Sequence, residues 1–226
     1  MNTETIRIPV RGGEQVSAVL SLPESDRSPG PVGVILAHGA GNDMNHPLLV
    51  SLSQGLVKAG YRTLRFNFLY REKGRKRPDG QNLLEKTWAS VYQFLRDHPR
   101  YRPKTILAAG KSMGGRVAAQ MVAEGLLPVT QLIFLGYPLH PPGRREKLRD
   151  SHFDQIETPM LFFAGTRDSL CDLSTLNRVL ERLSAPWELQ IIEGGDHSFR
   201  LPKSADRSQE EVYEHILQKT LAWLEA

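Results

Sequence analysis

Residues 104–115 read Lys104-Thr105-Ile106-Leu107-Ala108-Ala109-Gly110-Lys111-Ser112-Met113-Gly114-Gly115. The apolar run Thr105–Ala109 reads as a buried strand, Gly110–Gly114 is a G-x-S-x-G pattern, and Ser112–Glu124 is helix-forming. A serine hydroxyl is a weak nucleophile unless geometry and neighbours activate it. A sharp strand-to-helix turn does this by holding the serine in a strained, exposed position, and the flanking glycines leave the turn its space. The N-terminus of the following helix offers backbone N–H groups and a positive dipole end to a developing oxyanion.

Working outward from that turn, strand-like and helix-like segments alternate, which argues for a mostly parallel sheet covered on both faces. Ile6–Val10 and Val16–Leu22, around Arg11-Gly12-Gly13-Glu14, read as an antiparallel hairpin. Glu24–Pro31, rich in Pro, Ser and Gly, reads as a loop. Strands are expected at Val32–Ala37, Tyr61–Phe66, Gln131–Gly136, Met160–Ala164 and Glu188–Ile192. Helices are expected at Pro47–Ala59, Leu83–Asp97, Asp172–Leu183 and Gln209–Leu224. The right-handed crossover preference then gives a doubly wound α/β sheet. No linker or repeat divides the chain, so residues 1–226 are expected to form one domain.

In such sheets ligands sit beyond the carboxyl ends of the strands. After Ala37 comes His38-Gly39-Ala40-Gly41-Asn42, where glycines let the backbone approach a carbonyl and aim an N–H at it. The amides of Ala40 and Met113 are the expected oxyanion donors. After Ala164 comes Gly165-Thr166-Arg167-Asp168, and after Ile192 comes Gly194-Gly195-Asp196-His197-Ser198-Phe199. Nucleophile, acid and base thus fall in the order Ser112, Asp168, His197, each on a different strand-end loop, as in an α/β-hydrolase.

Rivals are weighed by their setting. Asp172 reads as a helix cap, and Asp196 stands too close to His197 in the chain. Of the other histidines, His98 and His215 belong to helices and read as surface residues, and His46 and His152 lie in polar stretches without an evident partner. His38 reads as a brace for the glycine loop, with His38, Gly39 and His140 as substrate-binding candidates. Lys111 beside the serine raises a Ser–Lys dyad, against which adjacent side chains at a turn point apart. Cys171 has no base near it in sequence.

The chain has 226 residues, 40% hydrophobic and 24% charged, and a net charge of +4. These values are those of a soluble globular protein. The basic stretches 71–77 and 144–149 read either as solvated loops or as an attraction for an anionic substrate. Aromatics are not interleaved with them, so nucleic-acid binding is not expected. A single cysteine fits a reducing compartment. No signal-peptide core and no run of membrane-span length occurs, so no membrane association is expected and the cytoplasm is the expected location. No metal-ligand spacing or dinucleotide fingerprint appears, and no cofactor is expected.

Taken together, His38-Gly39-Ala40-Gly41, Gly110–Gly115, Gly136-Tyr137-Pro138-Leu139-His140-Pro141-Pro142-Gly143, Gly165–Asp168 and Asp196–Phe199 resemble the α/β-hydrolase superfamily. Within it the chain is similar to small dienelactone-hydrolase-like proteins, and to the hydrolase-like domain of testis-expressed and NSL-complex proteins. The resemblance implies a Ser112–His197–Asp168 triad, an acyl-enzyme route and a small-molecule acyl substrate. Dienelactone hydrolases use a cysteine where this chain has Ser112, so their particular substrate does not transfer. Only about twenty residues separate Pro138 from Pro159, so a small or absent lid is expected. Two other readings stay open: a catalytically silent binding or scaffold module, and an acyltransferase.

Overall fold

A computed structural model describes residues 2–10, 12–24 and 31–226. The eight strands are β1 (Asn2–Val10), β2 (Glu14–Leu22), β3 (Val32–Ala37), β4 (Arg62–Phe66), β5 (Thr105–Lys111), β6 (Leu132–Leu135), β7 (Met160–Gly165) and β8 (Trp187–Ile192). They form one sheet in the order β1-β2-β4-β3-β5-β6-β7-β8. The pairs β1/β2 and β2/β4 are antiparallel and the rest parallel, giving the expected α/β-hydrolase architecture with its N-terminal hairpin. β1 extends back to Asn2 because its ladder with β2 continues through a polar end, Asn2↔Leu22 to Thr5↔Val19, that carries no hydrophobic alternation to announce it. Residues 25–30 of the expected loop, and Arg11 of the hairpin turn, lie outside the described residues.

The central strands are buried on both faces, so their sequences are continuous apolar runs. One face packs against α3 (Gln81–Arg96), α4 (Met113–Ala123) and α5 (Leu173–Leu180); the other lies under α1 (Pro47–Lys58) and α6 (Gln209–Glu225). Alternate residues of β5 divide between the two: Ile106 and Ala108 belong to the first core, Leu107 and Ala109 to the second. Aromatic rings in edge contact, Phe66 on Phe68 and Trp88 and Phe134 on Tyr137 and Phe153, fill the α3/α4 side.

Two further features of the element pattern depart from the sequence expectation. A short helix, α2 (Leu69–Glu72), opens the basic stretch, because Leu69 and Tyr70 are buried and the Tyr70 N–H is held by Asp79. β5 runs two residues further than its apolar core, to Lys111, since pairing with β3 and β6 continues to Ala37↔Gly110 and Lys111↔Leu135. Between β6 and β7 the only helix is a three-residue 3-10 turn, Phe153–Gln155, so no lid is built there.

At the β5–α4 junction a Cβ on Gly110 would lie 2.2 Å from the Gly115 nitrogen and 2.4 Å from its Cα, both backbone atoms. Gly110→Ala must therefore push strand from helix, and we expect it to cost about 3 kcal/mol, the upper end of overpacking penalties. An unchanged denaturant midpoint would contradict this contact.

Three histidines are built into the fold in neutral form. The Phe68 N–H donates to His38 Nε2, so His38 Nδ1 carries the proton and donates to Gly39 O. His46 caps α1, its Nδ1 accepting from the Leu48 N–H. Tyr137 donates its hydroxyl to Arg149 O, leaving its oxygen to accept from His152 Nε2. His46 and His152 thus have partners that the polar sequence around them did not reveal. Burial pulls all three from 6.5 to about 4. The unfolded chain takes up these protons near pH 6.5 and the folded chain refuses them until about pH 4. Stability is therefore fully present above 6.5 and falls as the pH drops toward 4. Urea midpoints measured across that window should decline, and His152→Gln should flatten the slope; a flat parent profile would overturn the assignment.

Candidate active site

Ser112 stands at φ 50°, ψ −115°, as the N-cap of α4. A non-glycine residue in this region carries roughly 1–3 kcal/mol of strain and persists only where its surroundings dictate it. They do so here through glycine contacts. A Cβ on Gly115 would meet Gly110 O at 2.7 Å, and one on Gly114 would meet His38 O at 2.7 Å. Trp88 Nε1 of α3 donates to Gly114 O at 3.2 Å, tying the first turn of α4 down. The turn is thereby wedged between β3, β5 and α3, with the Ser112 side chain left outside the ladder.

The histidine loop follows β8. A Cβ on Gly165 would lie 2.2 Å from Gly195 O, and one on Gly136 would lie 2.9 Å from His197 O, so the loop nests against the ends of β7 and β6. Asp196 does not face the imidazole: its Oδ1 accepts the Ser198 and Arg200 N–H groups and folds the loop on itself. Phe199, buried, takes φ 61° within this tight turn. Asp172 caps α5 through the Thr175 N–H, as its position suggested.

With those rivals accounted for, Ser112, His197 and Asp168 form one hydrogen-bonded chain. His197 Nε2 lies 2.8 Å from Ser112 Oγ, and His197 Nδ1 lies 2.8 Å from Asp168 Oδ2. The Asp168 side chain is fully buried, and its second oxygen accepts the Leu170 N–H at 2.7 Å. An acceptor-only carboxylate at Nδ1 draws the imidazole proton there, leaving the Nε2 lone pair directed at the serine hydroxyl.

The glycine loop lies against this turn: a Cβ on Gly39 would come within 3.3 Å of Ser112 Cβ and of Lys111 O. Gly39 O collects His38 Nδ1–H, the Asn42 N–H and the Tyr70 hydroxyl at 2.8, 3.3 and 3.4 Å. Among the described residues no protein acceptor takes the N–H of Ala40, or that of Met113, the first residue of α4. His38 is fully buried with both ring nitrogens engaged, so it braces the loop and offers a ligand nothing.

The remaining candidates separate from this center. His140 is held by Pro141 O through Nδ1 and lines a cleft of about 350 Å³ with Arg145, Arg167, Asp168 and Cys171. Burial pushes the Cys171 thiol up to about 12, which leaves it no thiolate character. Lys111 bonds to His197 O, not to Ser112. Arg71, Lys73 and Arg75 of the basic stretch are matched by Asp43, Glu14 and Asp79. His98 follows α3 instead of lying in it, stacks on Tyr101 and accepts its N–H. No cluster of three or more metal-ligating side chains occurs among the described residues, and none of their helices is long and apolar enough to cross a membrane.

Comparison with known proteins agrees with this fold. A serine hydrolase homologue from Coxiella burnetii superposes with a TM-score of 0.75 at 22% identity, covering 97% of this chain and 98% of that one. A dienelactone hydrolase from Anabaena variabilis does so with a TM-score of 0.75 at 21% identity, covering 99% and 97%. In sequence, the chain is 25% identical over 200 residues to a protein of Mycobacterium tuberculosis named as a putative phosphoribosyl transferase. That match takes in 88% of this chain but only 42% of the relative. Residues 31–225 match the alpha/beta hydrolase domain family. With six of the eight strands inside that match, the chain belongs to the α/β-hydrolase superfamily.

Proposed function

We propose that the protein is a serine hydrolase that cleaves a small ester-like substrate, a carboxylic ester, thioester or lactone, through Ser112, His197 and Asp168. The observation that carries this reading is the unbroken hydrogen-bonded chain Ser112–His197–Asp168, 2.8 Å at each link. His197 Nε2 takes the Ser112 proton as Oγ adds to the substrate carbonyl carbon. Asp168 holds the ring in the required tautomer and stabilises the imidazolium that results. The oxyanion is received by the Ala40 and Met113 N–H groups at the positive end of α4. Collapse of the tetrahedral adduct expels the leaving group, to which His197 returns the proton, and the acyl group stays on Oγ. Water, deprotonated by His197, then adds to the acyl carbon, and Ser112 leaves with its proton restored.

The lack of a lid between β6 and β7 supports a small acyl substrate that enters without a closing cap from that connection. The matched charges of the basic stretch give no support to selection of anionic esters by Arg71, Lys73 or Arg75. We place the protein in the cytoplasm, a reading that rests on its single cysteine.

The test is turnover of an ester, thioester and lactone panel by the parent and by Ser112→Ala. At least one class should be hydrolysed, with kcat/KM falling of the order of 10⁴-fold or more in the variant. A folded Ser112→Ala protein as active as the parent would overturn the assignment.

A further inference from the structure

Lys111 is the one lysine of the core among the described residues, 1% exposed, and it directly precedes the serine. Its presence there needs a reason. A buried ammonium is costly unless something specific receives it. Among the described residues no carboxylate lies within ion-pair distance of Lys111, and its acceptor is the main-chain oxygen of His197, 3.4 Å from Nζ.

The alternation of β5 explains how it gets there. Leu107 and Ala109 face α1 and α6, and Lys111 continues that row, so its side chain leaves the strand on that side and meets the histidine loop from below. The carbonyl it meets has a wall on another side, where Gly136, at φ 73°, has no Cβ and any Cβ would come within 2.9 Å. The loop itself has no strand partner and turns through a strained Phe199. Asp168 and Asp196 attract the ammonium while Arg200 opposes it, and His46, neutral here, adds no charge.

We propose that Lys111 is a positioning residue: its ammonium clamps the main-chain carbonyl of His197 against Gly136 and so sets where the imidazole meets Ser112. This rests on the hydrolase reading above. The clamp acts on the one backbone unit whose displacement moves the base directly, and a misplacement near 1 Å can cost a reaction about 10²-fold. Burial also draws the ammonium down from 10.5 to about 8, so it stays largely charged at neutral pH.

The experiment compares Lys111→Met, which keeps reach and bulk without a donor, with Lys111→Arg, which restores one, on whichever short ester the parent hydrolyses. In Lys111→Met, kcat should fall roughly 10- to 10²-fold with KM held within about threefold, and Lys111→Arg should recover most of the loss. Active sites titrated with a fluorophosphonate separate this from mere loss of folded protein, which would lower the titre and leave kcat per titrated site unchanged. A folded Lys111→Met with the parent's kcat per titrated site overturns the clamp. Lys111→Gln serves as a second neutral variant. If both neutral variants fail to fold while Lys111→Arg is folded and active, Lys111 serves stability alone and the clamp is equally overturned. A parent without Ser112-dependent turnover removes the hydrolase reading itself, whereas an active parent matched by Lys111→Met removes only the clamp.

Discussion

Strand β5 and helix α4 touch backbone to backbone at Gly110 and Gly115, and Gly114 touches the end of β3 in the same way. No side chain fits between them, so the chain must reverse from strand to helix within two residues. Ser112 absorbs that reversal at φ 50°. Its strain is held by what surrounds it: the parallel ladders on both sides of β5, the Trp88 indole on Gly114 O, and the cores above and below the sheet. The large hydrophobic interior is what allows a local conformation costing roughly 1–3 kcal/mol to persist.

The other two members of the hydrogen-bonded chain are placed by the same device. Gly165 and Gly136, at the ends of β7 and β6, make room for the histidine loop to lie directly on the sheet edge. The ends of β5, β7 and β8 therefore present Ser112, Asp168 and His197 to one another, and the sheet's parallel register fixes their spacing. The glycine loop after β3 completes the arrangement. It is braced by a neutral, buried His38 and by Tyr70, whose hydroxyl burial pushes up to about 12. Rigidity at this center comes from close backbone packing more than from any ion pair.

Much of this was legible in the sequence because it is written in local signals. The apolar run before Gly110, the paired glycines, and acid and base following further strands all lie within a few residues of the feature they announce. What was not legible depends on partners distant in the chain. His152 is held by Tyr137, 15 residues away, and His38 by the Phe68 amide, 30 away. Lys111 reaches His197 across 86 residues. Helix α2 was hidden because Arg71, Glu72 and Lys73 carry the look of a solvated loop, while the burial of Leu69 and Tyr70 is set by tertiary packing. The pairing of Arg71, Lys73 and Arg75 with Asp43, Glu14 and Asp79 is likewise invisible to a count of charges.

The central claim is that Ser112 is the one activated nucleophile of this chain, and covalent labelling tests it most directly. Lys111 and Arg116 flank the serine, so trypsin releases Ser112–Arg116 as a short peptide of its own. After treatment of the native protein with a fluorophosphonate, mass spectrometry should find a single adduct on that peptide, lost on prior unfolding. A folded protein that takes up no label there, or takes it up at another residue, would contradict the account.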